Sequence, residues 1–201
     1  MLNNAPHRPG PTLAIAGEFT LAQGRAHEAC GPSRHILALA TASATHGPVL
    51  WVAPAWTTER LCGDGIARWI DPARLVLIHP SRTANLLWCT EEALRSGALS
   101  LVVTELPEPP GLTPVRRLHL ACEASRTGKS AATSLLLTPG AGGAAGVESR
   151  WHATPHHSRH LSQWQLSRHR ARTATPATWL LTHPAPRTRP TLLPLPTQHA
   201  A

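Results

Sequence analysis

The stretch Leu99 to Leu120, LSLVVTELPEPPGLTPVRRLHL, constrains the fold more than any other. Leu99 to Thr104 is a short apolar run rich in β-branched residues. Ser96-Gly97 precede it, and Pro107, Pro109, Pro110 and Gly111 follow. Such a run, too short for a helix and bounded by breakers, reads as a buried strand ending in a rigid turn. Glu105 falls where the strand runs out, the edge of an open α/β sheet at which ligands bind. Thr113-Pro114 then opens a helix, proline costing no hydrogen bond in a first turn, and Leu112, Val115, Leu118, Leu120 and Cys122 are its expected apolar side. Strand, acidic tip, proline turn and helix have the local shape of a Walker B segment.

The neighbouring segments extend this pattern to repeated strand and helix units. Arg25–Cys30, Val49–Ala53, Leu75–Ile78 and Ser134–Thr138 read as strands. His35–Ala44, Trp56–Trp69 and Ala84–Ser96 read as helices, the last with Leu86, Leu87, Ala93 and Leu94 inward and Glu91, Glu92 and Arg95 outward. Helices between strands imply crossovers and a mainly parallel sheet. After a flexible linker at Gly140–Gly146, Val147–Ala153, Ser162–Arg168 and Thr178–Thr182 are expected as an antiparallel extension. The organisation is thus a leader over residues 1–13, an α/β domain over 14–182 with its basic extension at 142–182, and a proline-rich extended tail over 183–201.

Charge divides the chain at Ser149. Beyond it stand seven arginines and no Asp or Glu, whereas residues 1–148 carry 12 basic and 11 acidic side chains. A near-neutral body with a basic end points to nucleic acid or an acidic surface as partner. Arg168, Arg170 and Arg172 alternate at strand spacing and are the candidate phosphate contacts, with Trp164 and Trp179 as possible stacking platforms. The four cysteines, Cys30, Cys62, Cys89 and Cys122, lie far apart with no C-x-x-C, which argues for reduced thiols. His152, His156, His157 and His160 lack an accompanying carboxylate or cysteine, so no metal site is expected. With neither a signal peptide nor a membrane-length apolar run, the expected compartment is the cytoplasm.

Gly31-Pro32-Ser33 lies between a strand and a helix, the setting of a phosphate loop, but the lysine and the several glycines of such a loop are missing. Arg126 to Ser130, RTGKS, ends like a phosphate loop yet follows a helix and precedes a strand, the reverse of what that chemistry needs.

The runs HEACGPSRHILALA, GPVLWVAPAW with TTERL, NLLWCTEEALRSGALSLVVTELPEPPGLTPVRRLHLACE, LLLTPG, VESRW and WQLSRHRARTATPATWLL together resemble the ImuA family, RecA-like accessory proteins of bacterial damage-inducible mutagenesis. The resemblance spans about Ala26 to Leu180. RSGALSLVVTE is also similar to the Walker B segment of RecA and places Glu105 at its magnesium-binding aspartate. CGPSRHI stands where RecA has its phosphate loop, so Gly31, Pro32 and Ser33 would be remnants of a degenerate one. Pro54 or Ala55 stands near RecA's water-activating glutamate.

The resemblance implies a RecA-like fold without catalytic residues or cofactor, acting as an adaptor in translesion synthesis. The implied partners are an ImuB-like Y-family polymerase homologue, an error-prone replicative-type polymerase and RecA. Rigid PEPPG and the following helix make Arg116 and Arg117 the expected partner contacts. Three other classes stay open: an ATPase with an unrecognised loop, a stand-alone DNA-binding module, and a SulA-like division inhibitor.

Overall fold

The computed structural model describes residues 11–126 and 131–195. Strands β1 (Thr12–Ala16) and β2 (Phe19–Ala22) form a separate antiparallel hairpin. The main chain of elements follows: β3 (Ala26–Cys30), α1 (Arg34–Ser43), β4 (Val49–Val52), α2 (Gly63–Ala67), β5 (Leu75–Ile78), α3 (Thr83–Arg95), β6 (Leu101–Glu105), α4 (Leu112–Ala124) and β7 (Thr133–Leu137). Four strands complete the sheet: β8 (Ser149–Pro155), β9 (Ser162–Ala171), β10 (Ala177–His183) and β11 (Thr191–Pro194).

The nine strands lie in the order β11-β10-β9-β8-β3-β7-β6-β4-β5. From β8 to β5 every neighbouring pair is parallel, and β9, β10 and β11 add an antiparallel cluster. This is a mixed α/β fold with a mostly parallel sheet flanked by helices. Alternation along each strand supplies both faces. Val49, Trp51, Leu101, Val103, Leu135 and Leu137 pack on the side of α1 and the hairpin, whereas Leu50, Val52, Val102 and Leu136 pack with residues of α3 and α4. Ala38, Ala40 and Ala42 are all buried in α1, small side chains that let its backbone lie close to the sheet. Among the described residues no helix is long and apolar enough to cross a membrane.

Several sequence expectations need correction. The segment Trp56–Trp69 is helical only over Gly63–Ala67; upstream, the Thr57 hydroxyl donates to the Pro54 carbonyl and the Arg60 guanidinium to those of Ala55 and Thr57, so side chains take the carbonyls that a longer helix would use. Leu112 and Leu120 are exposed, while Val115, Leu118, Ala121 and Cys122 form the buried side of α4. Glu91 is buried and not on the outer face. The expected leader gives way to β1 at Thr12, its residues 1–10 lying outside the described ones. The expected tail from His183 instead includes β11, whose Thr191, Leu192 and Leu193 pair with β10 at the sheet edge, where flanking prolines are tolerated.

Candidate functional site

The turn joining β3 to α1 sits at the carboxyl edge of the parallel strands, and its donors are already committed. Gly31 N–H donates to the Gly140 carbonyl (2.9 Å), Ser33 N–H to that of Ala153 (3.1 Å) and Arg34 N–H to that of Gly31 (3.2 Å), while Ile36 N–H donates to Ser33 (3.0 Å). Pro32 has no N–H to offer. A phosphate cradle needs such groups free and convergent. Gly31 has φ 87°, and a Cβ there would stand 2.5 Å from the Ala153 carbonyl oxygen and 2.8 Å from His152 Nε2. Glycine therefore serves close packing of the turn against β8, a structural use of the residue. Ser33 precedes α1 without a side-chain capping bond.

Glu105, the last residue of β6, is brought to the same edge and is also engaged. Its Oε1 accepts from Trp51 Nε1 (2.7 Å), and its Oε2 lies 3.4 Å from His35 Nε2. The His35 ring stacks on Trp51 with centroids 6.1 Å apart, closing a Trp-His-Glu cluster. Burial opposes ionisation of Glu105, but the His35 and Trp51 hydrogen bonds outweigh it and hold the carboxyl below its ordinary range. An open cleft of about 370 Å³ lies over this cluster, bordered by Glu59, Arg60, Leu61 and Cys62. Thus Glu105 lies at the same sheet edge as the Gly31-Pro32-Ser33 turn and is bonded to His35, two residues beyond it on α1. Among the described residues no group of three or more His, Cys, Asp or Glu is placed to hold a metal ion.

Arg116 and Arg117 differ in role. Arg117 reaches across to α3, where its Nη2 lies 2.6 Å from Glu91 Oε2, and Arg95 pairs with the same buried carboxylate. This ion-pair group ties α4 to α3. Arg116 instead borders a shallow cleft with Arg25, His119, Leu120 and Arg172. On the Arg117 side a groove of about 400 Å³ runs between the helices past Trp88, which is 58% exposed. Trp and Arg are both among the residue types enriched at interface hot spots. Trp88 was legible as a tryptophan on a helix, but its outward placement follows from the Leu86, Thr90 and Leu94 line packing inward.

Arg168, Arg170 and Arg172 do not share a face. Trp151 pairs with Arg168 and Arg150 with Arg170, so a bulge at His169 turns the strand between them. Arg168 is buried, its guanidinium 4.9 Å from the Trp179 ring and 5.5 Å from the Trp151 ring, while Nε donates to the Thr175 carbonyl (3.0 Å). Here it stabilises the antiparallel cluster by cation-π contact. Arg172 lies 3.6 Å from Glu148, and Arg170 is exposed. Trp164 and Trp179 are core residues on the α1 side.

Two features had no counterpart in the sequence reading. Glu28 is completely buried on β3. Its Oε1 accepts from Thr138 Oγ1 (2.6 Å), Gly143 N–H (2.8 Å) and Ala144 N–H (3.0 Å), and its Oε2 pairs with Arg150. The expected flexible linker is therefore wrapped around a carboxylate; Gly142, at φ 75°, leaves no room for a Cβ beside it. The second feature is the edge strand β5, where Val76, Leu77 and Ile78 are all exposed and which has one sheet neighbour among the described residues. The RTGKS stretch falls at 126–130, and all but Arg126 lies outside the described residues.

No protein-family model matches this chain, and no curated protein does. Among solved structures it is similar to SulA from Pseudomonas aeruginosa at 21% identity, with a TM-score of 0.38, over 47% of this chain and 72% of that one.

Proposed function

We propose that this chain is a non-catalytic adaptor built on a RecA-like domain with a degenerate phosphate loop, working in the cytoplasm in damage-induced translesion synthesis. The ImuA-like runs carry the assignment to that process. The observation supporting the adaptor reading is the consumption of the β3–α1 turn's donors by the Gly140, Ala153, Gly31 and Ser33 carbonyls. Binding a triphosphate there would break several backbone hydrogen bonds, with no lysine in the turn to offset the loss. Isothermal titration of the full chain with Mg-ATP should accordingly show no heat of binding at micromolar nucleotide. Micromolar binding that vanished in Lys129→Ala would return the chain to the ATPase class.

In this reading the partner surface spans the outer side of α3 and α4, with Trp88 exposed at the groove between the helices and Arg116 and Leu120 exposed at the cleft on the other flank of α4. The partners are an ImuB-like polymerase homologue first, an error-prone replicative-type polymerase and RecA beside it, and DNA at the basic C-terminal part. Trp88→Ser combined with Arg116→Glu should weaken capture of the purified ImuB-like protein at least tenfold, since a single hot-spot Trp or Arg is worth about 2 kcal/mol or more. The melting temperature should hardly move, because neither side chain is buried. Arg117 is left intact in this test because its loss would strip Glu91 of a partner. Wild-type affinity in the folded variant would remove this face from the proposal. Capture of a septal-ring division protein, with no capture of the polymerase homologue, would transfer the chain to the SulA-like class.

A further inference from the structure

The sheet is covered unequally on its two sides. Along β8, β9 and β10, Trp151, Leu166 and Leu181 turn toward α1 and the hairpin, so the alternating residues His152, Thr154, Gln165, Ser167 and Thr178 turn the other way. That is the side of α3 and α4, yet the core under those helices contains nothing beyond Val147, and all five of these side chains are half-buried or exposed. Among the described residues the antiparallel cluster thus presents one open face. The bulge in β9 adds two residues to it. Arg170 stands opposite Arg150, and the exposed His169 ring stacks on that of His152, with centroids 5.0 Å apart and planes 12° from parallel. Unlike the donors of the β3–α1 turn, the polar groups at the middle of this face are not spent on one another. Among the described residues the Gln165 amide, the Thr154 hydroxyl opposite it and the Arg170 guanidinium have neither a hydrogen bond nor an ion pair.

We infer that this open face binds single-stranded DNA. The inference rests on the reading that DNA meets the basic C-terminal part of the chain, and it deepens that reading by naming the surface and the form of the DNA. A nucleotide carries a phosphate charge, a flat ring and a polar ring edge. The face supplies one complement to each, a free guanidinium at Arg170, an imidazole plane at His169 and a free amide at Gln165. The platform is backed from behind, since a Cβ at Gly31 would stand 2.8 Å from His152 Nε2, so an incoming base adds to the pair on the exposed His169. No carboxylate after Glu148 opposes the phosphates. A duplex keeps its ring faces stacked on one another and has none to lay on an imidazole, and an acidic peptide would engage the guanidinium and leave the imidazole plane without a counterpart.

Fluorescence anisotropy of the full chain with a labelled oligothymidine strand provides the test, beside the same strand paired with its adenine complement and with polyglutamate as competitor. The single strand should bind about tenfold more tightly than the duplex, and the Gln165 side-chain amide resonance of the native chain should shift when the strand is added. His169→Ala should weaken single-strand binding about tenfold, the loss of one base stacked on a ring. Arg170→Ser should lower the slope of log affinity against log salt by about 0.7, the share of one phosphate on a single strand. Arg187→Ser with Arg189→Ser, in the turn that bonds back to α2, should change little. If neither DNA binds, the inference falls together with the reading beneath it. Single-strand binding that survives both His169→Ala and Arg170→Ser overturns the inference alone, and its loss in the Arg187 and Arg189 variant would place the DNA at that turn. Equal affinity for the duplex, equal displacement by polyglutamate, or shifts that leave Gln165 unmoved also overturn it, and these native-chain readings stand even if a variant fails to fold.

Discussion

Replacing Glu28 by alanine should remove about 3 to 5 kcal/mol of folding stability, the loss typical when one partner of a buried ion pair is deleted. The size follows from the number of groups that depend on one carboxylate. Arg150 would keep a charge with little water to solvate it, and the Gly143 and Ala144 amides and the Thr138 hydroxyl would lose their acceptor. Glu28→Gln should cost less, since an amide oxygen still serves the three neutral donors. Glu28→Leu with Arg150→Met should recover part of the alanine loss, because a buried pair replaced by apolar groups is often neutral. Urea unfolding of the four proteins checks the ranking. An unchanged midpoint in Glu28→Ala would mean that the loop from Pro139 to Val147 is held by something other than this carboxylate.

Acid should destabilise the fold well before its carboxylates are protonated. His27 is fully enclosed, its Nε2 bonded to the Ala22 carbonyl (2.9 Å) and its Nδ1 to Ser149 Oγ (2.7 Å). Desolvation opposes the charged form and pushes its pKa down from the ordinary 6.5 to about 4, the Ala22 bond offsetting only part of the effect. Above pH 6.5 the ring is neutral in both folded and unfolded chains, and its stabilising network is complete. Below that the unfolded chain takes up the proton first, so stability falls as pH drops from 6.5 towards about 4, by about 3 kcal/mol at most. Burial lowers His119, His152 and His183 in the same direction, which steepens the slope. Glu28 and Glu105, both held below the ordinary carboxylate range, add a second loss as pH falls through their folded values. The urea midpoint should therefore decline between pH 7 and pH 5. A midpoint constant across that interval would show that the buried imidazoles are not held neutral.

Elements governed by local pattern were legible in the sequence, and those governed by distant pairing were not. Leu75–Ile78 is β5 residue for residue, because a β-branched run after an Asp-Pro turn has few other conformations open to it. The strand and helix around Glu105 follow equally from the proline punctuation between them. Glu28 is different. A glutamate in a short strand reads as a solvent-facing residue, and only the register of β3 against β8, which sets Glu28 opposite Arg150, reveals the pair. The arginine triplet failed for a related reason. Alternate spacing puts Arg168 and Arg170 on one face of a regular strand, but the bulge at His169 reverses the second of them, and no local residue signals it. That Gly31 and Glu105 stand at one sheet edge was implied by Walker-like order, whereas the His35 bond to Glu105 depends on α1 lying over Trp51.

The position of β3 sets the timetable on which the molecule can form as it leaves the ribosome. Its neighbours on the two sides, β7 and β8, come more than a hundred residues later, with Ala26 aligned to Ser134 and Glu28 to Arg150. Until about residue 137 has emerged, the nascent chain can assemble the β1–β2 hairpin and the β6-β4-β5 part of the sheet but cannot seat β3. At 5 to 20 residues per second the wait from Cys30 to Leu137 lasts roughly 5 to 21 s, during which the AHEAC segment has no main-sheet neighbour to pair with. Long-range parallel pairing is slow to nucleate even in a finished chain. The strand at the middle of the finished sheet is thus left unpaired long after its own synthesis, and its Glu28 then gathers Arg150 and the Gly143 and Ala144 amides once their segments arrive.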